Sequence, residues 1–189
     1  MNPIAHVDPV GTVLLLIAGF GWGKPVMYNP RNLHRFKSYR GMNIMVHLAG
    51  VTGNFIVGLF ASILAILFGS LYVKFNGSGG DVVFKALYEA FEYTYQFSMM
   101  LLAFNLLPIP PLDGFHVLEE LLPYKVRSSD GYRKFQQFSP MAIWVLFLLG
   151  TFTQISILGY VINLIKTPFE LLINLICMPF YTLLQMAGL

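Results

Sequence analysis

The sequence predicts an all-α polytopic membrane protein: a bundle of about three to five transmembrane helices, with a re-entrant or short apolar segment and a small membrane-associated β element. Three observations predict it. Hydrophobic residues make up 56% of the 189 positions and charged residues only 11%, where a soluble domain carries about 25% charged residues. Mean hydropathy is +0.65. Met42–Val73 holds no Asp, Glu, Lys or Arg, a run well beyond the roughly 20 apolar residues that cross a bilayer as a helix. The length fits one membrane-embedded domain over residues 1–189, and no internal repeat divides it.

The elements follow in order. Val10–Trp22 is uncharged and Gly-rich. As a helix it rises about 20 Å against about 30 Å of hydrocarbon, so it reads as a re-entrant or interfacial piece. Gly19, Gly21 and Gly23 before Lys24 suit a hinge, because their spacing matches neither dinucleotide nor Walker loops. Pro25–Asn29 predicts a short extended strand lying on the membrane. Lys24–Arg40 carries Lys24, Arg31, Arg35, Lys37 and Arg40 and no acid, and Glu119–Lys134 carries Lys125, Arg127, Arg133 and Lys134. Basic loops stay on the cytoplasmic side, where they meet anionic headgroups, so both are predicted cytoplasmic. Lipid, not nucleic acid, is the partner this pattern implies.

Met42–Val73 is the first long span. Gly50, Gly53 and Gly58 in its first half allow a bend or a close helix contact. Lys74–Asp81 is a turn. Val82–Leu107 is the next span, its first half projecting beyond the bilayer because it holds Lys85, Glu89 and Glu92. Met141–Leu164 is uncharged and predicts another span. Pro168–Leu189, interrupted by Pro179, predicts a last span or an amphipathic interfacial hairpin. Cys177 is the one cysteine, which excludes an internal disulfide and any cysteine metal cluster. It also offers a single thiol for labelling from either side.

Chemistry concentrates in Phe104-Asn105-Leu106-Leu107-Pro108-Ile109-Pro110-Pro111-Leu112-Asp113-Gly114. A carboxylate at membrane depth costs several kcal/mol unless compensated, so Asp113 is a functional candidate by default. Pro108, Pro110 and Pro111 enforce unwound backbone ahead of it, which membranes tolerate only inside protein or against a water-filled cavity. Asp113 either ligates a metal or N-caps a helix over Gly114–Leu122. Asn105 and Asn54 either donate to a polarised carbonyl or a metal-bound water, or hold helices together. His116, three residues after Asp113, shares its helical face and is a weaker co-ligand candidate. His47 stands alone in an apolar span, where an interhelical hydrogen bond is the default. His6 reads as part of a turn and His34 as part of the basic loop. The sequence has no Gly-x-Ser-x-Gly and no His-Glu-x-x-His.

These residues carry a family resemblance. Asn2-Pro3-x-x-His6-Val7-Asp8-Pro9-Val10-Gly11-Thr12, Gly21-Trp22-Gly23-Lys24-Pro25-Val26 with Asn29-Pro30-Arg31, Ala49-Gly50-x-x-x-Asn54, and Phe104-Asn105-Leu106-Leu107-Pro108 with Pro111-Leu112-Asp113-Gly114 stand in the order of the site-2 protease family. The chain resembles the small bacterial form of these intramembrane zinc metalloproteases over Asn2 to about Leu122. The resemblance implies a helical bundle that cuts membrane proteins, with Asp113 as a zinc ligand. Asn105 and Asn54 would support substrate or oxyanion, on a scaffold of Gly50, Pro108, Pro111 and Gly114. The Pro25–Asn29 strand would lie beside the site and accept unwound substrate as an added strand. Two departures stand out: Val51 replaces the family's usual proline, and the His-Glu-x-x-His helix is missing. That helix supplies two zinc ligands and the general base. The expectation is therefore an N-terminally incomplete protease, inactive as it stands. A pseudoprotease that captures transmembrane segments is the alternative. An ion pathway through Asp113 is a third reading, weakened by the lack of repeats.

Overall fold

The computed structural model describes residues 7–18, 23–24, 38–77, 80–153 and 156–188. They belong to two compact units, Met1–Tyr39 and Arg40–Leu189. In the first, α1 spans Pro9–Ala18. Asp8 starts it: its Oδ1 accepts from the Gly11 amide at 2.9 Å, and Pro9 fills the first helical position, where a missing N–H costs nothing. With 10 residues, α1 rises only about 15 Å and is too short to cross a bilayer. An isolated antiparallel bridge joins Val7 to Gly23. There is no strand among the described residues, and the expected β element at 25–29 lies outside them, as do His6, His34 and most of the first basic loop.

The described residues of the second unit form helices joined by turns. Its elements are α2 (Tyr39–Lys74), α3 (Asp81–Asn105), α4 (Asp113–Leu121), α5 (Tyr124–Arg127), α6 (Asp130–Thr153) and α7 (Ile157–Met186). The loop expected over Glu119–Lys134 is thus largely wound into α4, α5 and the start of α6. Two of these helices, α2 and α7, are long and apolar enough to cross a membrane. Between α2 and α3, Gly77 turns the chain at a φ of 83°, a left-handed conformation that favours glycine. Its amide donates to Asp81 Oδ2 at 3.3 Å.

Helix directions follow from side-chain pairs. Gly58 faces Met99 and Ser98, and Gly69 faces Tyr88. Phe68 stacks on Phe91 and Phe75 meets Phe84, both with centroids 5.6 Å apart. Rising numbers on α2 meet falling numbers on α3, so the two form an antiparallel hairpin. On α7 the order is the reverse: Phe55 meets Phe169 edge-on at 6.3 Å, and Ser62 Oγ lies 3.7 Å from Cys177 Sγ. Hence α7 runs parallel to α2. The core sits where the three helices meet, on Val51, Met99, Leu102, Ile173 and Cys177.

This order corrects the reading of the C-terminal half. The uncharged run Met141–Leu164 is not one helix. It breaks after Thr153, and Ser156 starts α7 by accepting from the Gly159 amide on its Oγ at 2.9 Å. From there α7 continues unbroken through Pro168 and Pro179. Each proline removes one backbone donor, a loss helices in apolar surroundings tolerate when neighbouring groups re-satisfy the freed carbonyls. The carbonyls so freed are those of Leu164 and Leu175; beside the prolines, Thr182 Oγ1 bonds the carbonyl of Pro179 itself at 2.8 Å, and Lys166 pairs with Glu170 across Pro168 at 3.0 Å. Because α3 ends and α7 begins at the same end of the bundle, the whole connection from Leu106 to Ser156 starts and finishes there.

Candidate functional site

That connection carries Asp113. After Asn105 the chain leaves the helix through tight turns: Leu107 N–H donates to Phe104 O at 3.1 Å, Ile109 to Leu107 at 2.9 Å and Leu112 to Ile109 at 3.0 Å. Pro108, Pro110 and Pro111 fill the positions between, where no donor is needed. Leu112 is the extended residue that opens α4 and no side chain caps the helix. The Asp113 carboxylate stands in the first turn of α4, where the helix dipole favours negative charge, but it does not cap the helix.

Its partner is on α2. His47 Nδ1 lies 3.2 Å from Asp113 Oδ1, with His47 20% and Asp113 35% exposed. One helical turn further on, Gly50 leaves room for the other oxygen: a Cβ there would stand 3.5 Å from Asp113 Oδ2. A second glycine brings the two pieces of backbone together. A Cβ on Gly114 would collide with the Leu106 carbonyl and meet the Leu107 oxygen at 2.8 Å, so only glycine admits α4 this close to the end of α3.

The contact extends into a polar chain across α2, α4 and α6. The His116 ring stacks on His47, with centroids 4.6 Å apart, and its Nδ1 is 3.6 Å from Glu119 Oε2. Glu119 Oε1 accepts from the Tyr132 hydroxyl at 2.7 Å and from the Gln136 amide at 3.3 Å. Burial and the Glu119 bond push the Tyr132 phenol above its ordinary range, so it remains a donor. Asn43 Nδ2 donates to Glu120 Oε1 at 2.9 Å.

The structure therefore brings together Asp113, His116, Gly50 and Gly114 of the residues singled out by sequence, and adds His47 as the direct partner of Asp113. The interhelical bond expected for His47 is this contact. Asn54 sits two turns beyond His47 on α2 and Asn105 closes α3. Neither side chain bonds another described residue, and their roles stay expectations. Glu119, Glu120, Asn43 and Tyr132 were not singled out. The one sequence signal for Glu119, Glu120 and Tyr132 was acidic and aromatic residues at helical spacing in a segment read as loop, and Asn43 had none within its apolar span.

A zinc ion needs more than this set. Catalytic zinc is held by three protein ligands, whereas Asp113 and His47 supply one carboxylate and one imidazole that already face each other. No group of three or more His, Cys, Asp or Glu among the described residues is placed to hold a metal. The described donors alone do not make a catalytic zinc site.

Comparison with known proteins decides the family. The profile of Peptidase family M50 matches residues 71–150, which include α3, the proline-rich turn and α4. A Bacillus subtilis (strain 168) protein named "Putative zinc metalloprotease YwhC" is 38% identical over 132 residues, covering 68% of this chain and 56% of that protein. The chain belongs to the M50 peptidases, the site-2 protease family. It spans little more than half the length of this relative. No solved structure matches it.

Proposed function

We propose that this M50 chain carries the aspartate-bearing part of an intramembrane zinc endopeptidase site, with Asp113 as its metal-facing carboxylate. The observation that carries the reading is the placement of Asp113: a glycine-dependent approach of α4 to α3 delivers it against His47 and Gly50 of an apolar helix. Asn54 and Asn105 are the proposed supports for substrate or for the developing oxyanion. The helices α2, α3 and α7 are embedded in the cell membrane, the Glu119–Lys134 end faces the cytoplasm, and transmembrane segments of other proteins are the substrates.

The 189 residues alone are proposed to hold zinc weakly and to cut nothing, because one aspartate and one histidine leave the ligand set short. The same shortfall favours a second reading, a pseudoprotease that binds transmembrane segments without cleaving them. One experiment separates the readings. The native protein is purified from its source membranes and its zinc content and cleavage of a transmembrane reporter are measured beside Asp113→Ala. The protease reading expects stoichiometric zinc and cleavage, both lost in the variant. Zinc and cleavage that survive Asp113→Ala overturn it, and reporter capture without cleavage supports the second reading.

A further inference from the structure

The polar contacts of α4 fall on two sides. Toward α2, Asp113 meets His47 at 3.2 Å, and Glu120 accepts from Asn43 Nδ2 at 2.9 Å. Asp113 and Glu120 are two turns apart on α4, and Asn43 and His47 one turn apart on α2. Residues at these spacings share a helical face, so both contacts lie along one line between the two helices. Toward α6, Phe115 packs on Phe135, and Glu119 bonds Tyr132 and Gln136. That second set ties α4 to α6. What sets the far end of α4 against α2, the helix that carries His47 and Gly50, is the bond between Asn43 and Glu120.

This bond is a poor source of stability. Asn43 is only 9% exposed, and its Oδ1 is buried without a hydrogen-bond partner among the described residues. A buried acceptor left unpaired costs about 1–3 kcal/mol, about as much as one bond to a carboxylate returns. Glu120 also stands in the last turn of α4, which holds no basic residue, and there the helix dipole disfavours a carboxylate. A buried polar contact with little net gain specifies one register among those that apolar packing accepts, as a single buried asparagine does between coiled helices. The helix α4 needs such a device. It has 9 residues, no side-chain cap, and Phe115 as its buried residue. One ring fixes where a short helix sits, but not how it is turned. The His47 contact alone lets α4 swing about its first turn, and a second contact two turns away removes that freedom.

We propose that Glu120, acting through Asn43, is a positioning residue. It fixes the turn of α4 against α2 and so aims the Asp113 carboxylate at the space beside His47 and Gly50. The inference rests on the proposed function, in which Asp113 is the working carboxylate. It requires an acceptor at position 120 and a donor at position 43, not a charge.

The test uses the whole native protein in detergent, isotope-labelled at histidine. The ring-nitrogen NMR signal of His47, identified by its loss in His47→Gln, reports the Asp113 contact. Asp113→Ala gives its position with the contact broken. Glu120→Ala and Asn43→Asp should each move the signal most of the way there, the first by removing the acceptor and the second by removing the donor at constant size. Glu120→Gln should leave it in place, because the amide oxygen still accepts. Asn43→Asp combined with Glu120→Gln should bring it back, since donor and acceptor have then changed sides. A loss of general stability is not repaired by that exchange. Where the native protein cuts a transmembrane reporter, kcat should follow the signal, falling about ten- to a hundredfold with KM unchanged, the cost of a misplaced group. A His47 signal unmoved in both Glu120→Ala and Asn43→Asp overturns the proposal, as does one unmoved in Asp113→Ala or a reversed pair that stays displaced. Unfolding of both Glu120→Ala and Asn43→Asp, read by melting, also overturns it, because the contact then holds the fold and does not aim a side chain. The signal needs no substrate. A native protein that cuts nothing therefore removes the protease reading alone, and the signal still decides the role of Glu120.

Discussion

His47 and Asp113 meet through one contact of 3.2 Å, with a fifth of the histidine and a third of the aspartate still exposed. Hydrogen bonds to charged groups are worth about 1.5–3 kcal/mol when buried, and solvent screening at this exposure brings the figure down toward that of a surface pair. The contact orients the carboxylate more than it stabilises the fold. Gly114 matters more for stability. A Cβ there runs into the backbone carbonyls of Leu106 and Leu107, which cannot rotate away, whereas a Cβ on Gly58 runs into the flexible end of Met99. Gly114→Ala should therefore cost about 2 kcal/mol or more and Gly58→Ala about 1 kcal/mol or less, since overpacking is relieved only where a side chain can move. Denaturant melts of the two variants check the order, and equal losses would contradict the close approach. At this scale the sequence was informative where chemistry is concentrated. Asp113 after three prolines marks itself, because only an unwound, polar-lined segment accepts that composition. The role of His47 was hidden, since a histidine within an apolar run looks the same whether it meets a backbone carbonyl or a carboxylate 66 positions away.

The element that decides the site is α4. A helix of 9 residues is too short to persist in isolation, and no side chain caps its start. Phe115 holds it in place. It is 1% exposed and packs against Tyr132 and Phe135 of α6, with both centroids 6.0 Å away. Phe115→Ala should cost about 3–4 kcal/mol, as large-to-small core changes do, and should release Asp113 from His47 as α4 loosens. Hydrogen exchange of the α4 amides is the readout: protection should fall there first while α3 and α7 stay protected. Unchanged protection of α4 would show that the His47 contact alone anchors it. The paired termini of α2 and α3 were legible from charge, since Met42–Val73 and Val82–Leu107 lie within a few residues of Tyr39–Lys74 and Asp81–Asn105. The later boundaries were not. An uncharged stretch continues across a cap as easily as along a helix, so composition hid the break at Ser156, and Pro168 and Pro179 looked like ends because nothing in the sequence shows which neighbours stabilise them.

For the whole molecule the consequence is topological. Four successive spans, over Met42–Val73, Val82–Leu107, Met141–Leu164 and Pro168–Leu189, would place the C-terminus on the same side as the Glu119–Lys134 segment. The parallel pairing of Phe55 with Phe169 and Ser62 with Cys177 places it on the opposite side, with the α2–α3 turn. Cys177 is a poor reporter of this, because it is 3% exposed between helices and should stay unreactive until the bundle unfolds. Single cysteines placed at Asn76, Ser128, Ser156 and Ala187 in a Cys177→Ala background report it directly. In right-side-out vesicles a membrane-impermeant maleimide should label Asn76→Cys and Ala187→Cys together, while Ser128→Cys and Ser156→Cys react only after the membrane is opened. Basic residues near Ser128, Lys125, Arg127 and Arg133 among them, are the ground on which that end is proposed to face the cytoplasm, by the positive-inside rule. If Ala187→Cys labels with Ser128→Cys instead, α7 runs antiparallel to α2 in the membrane.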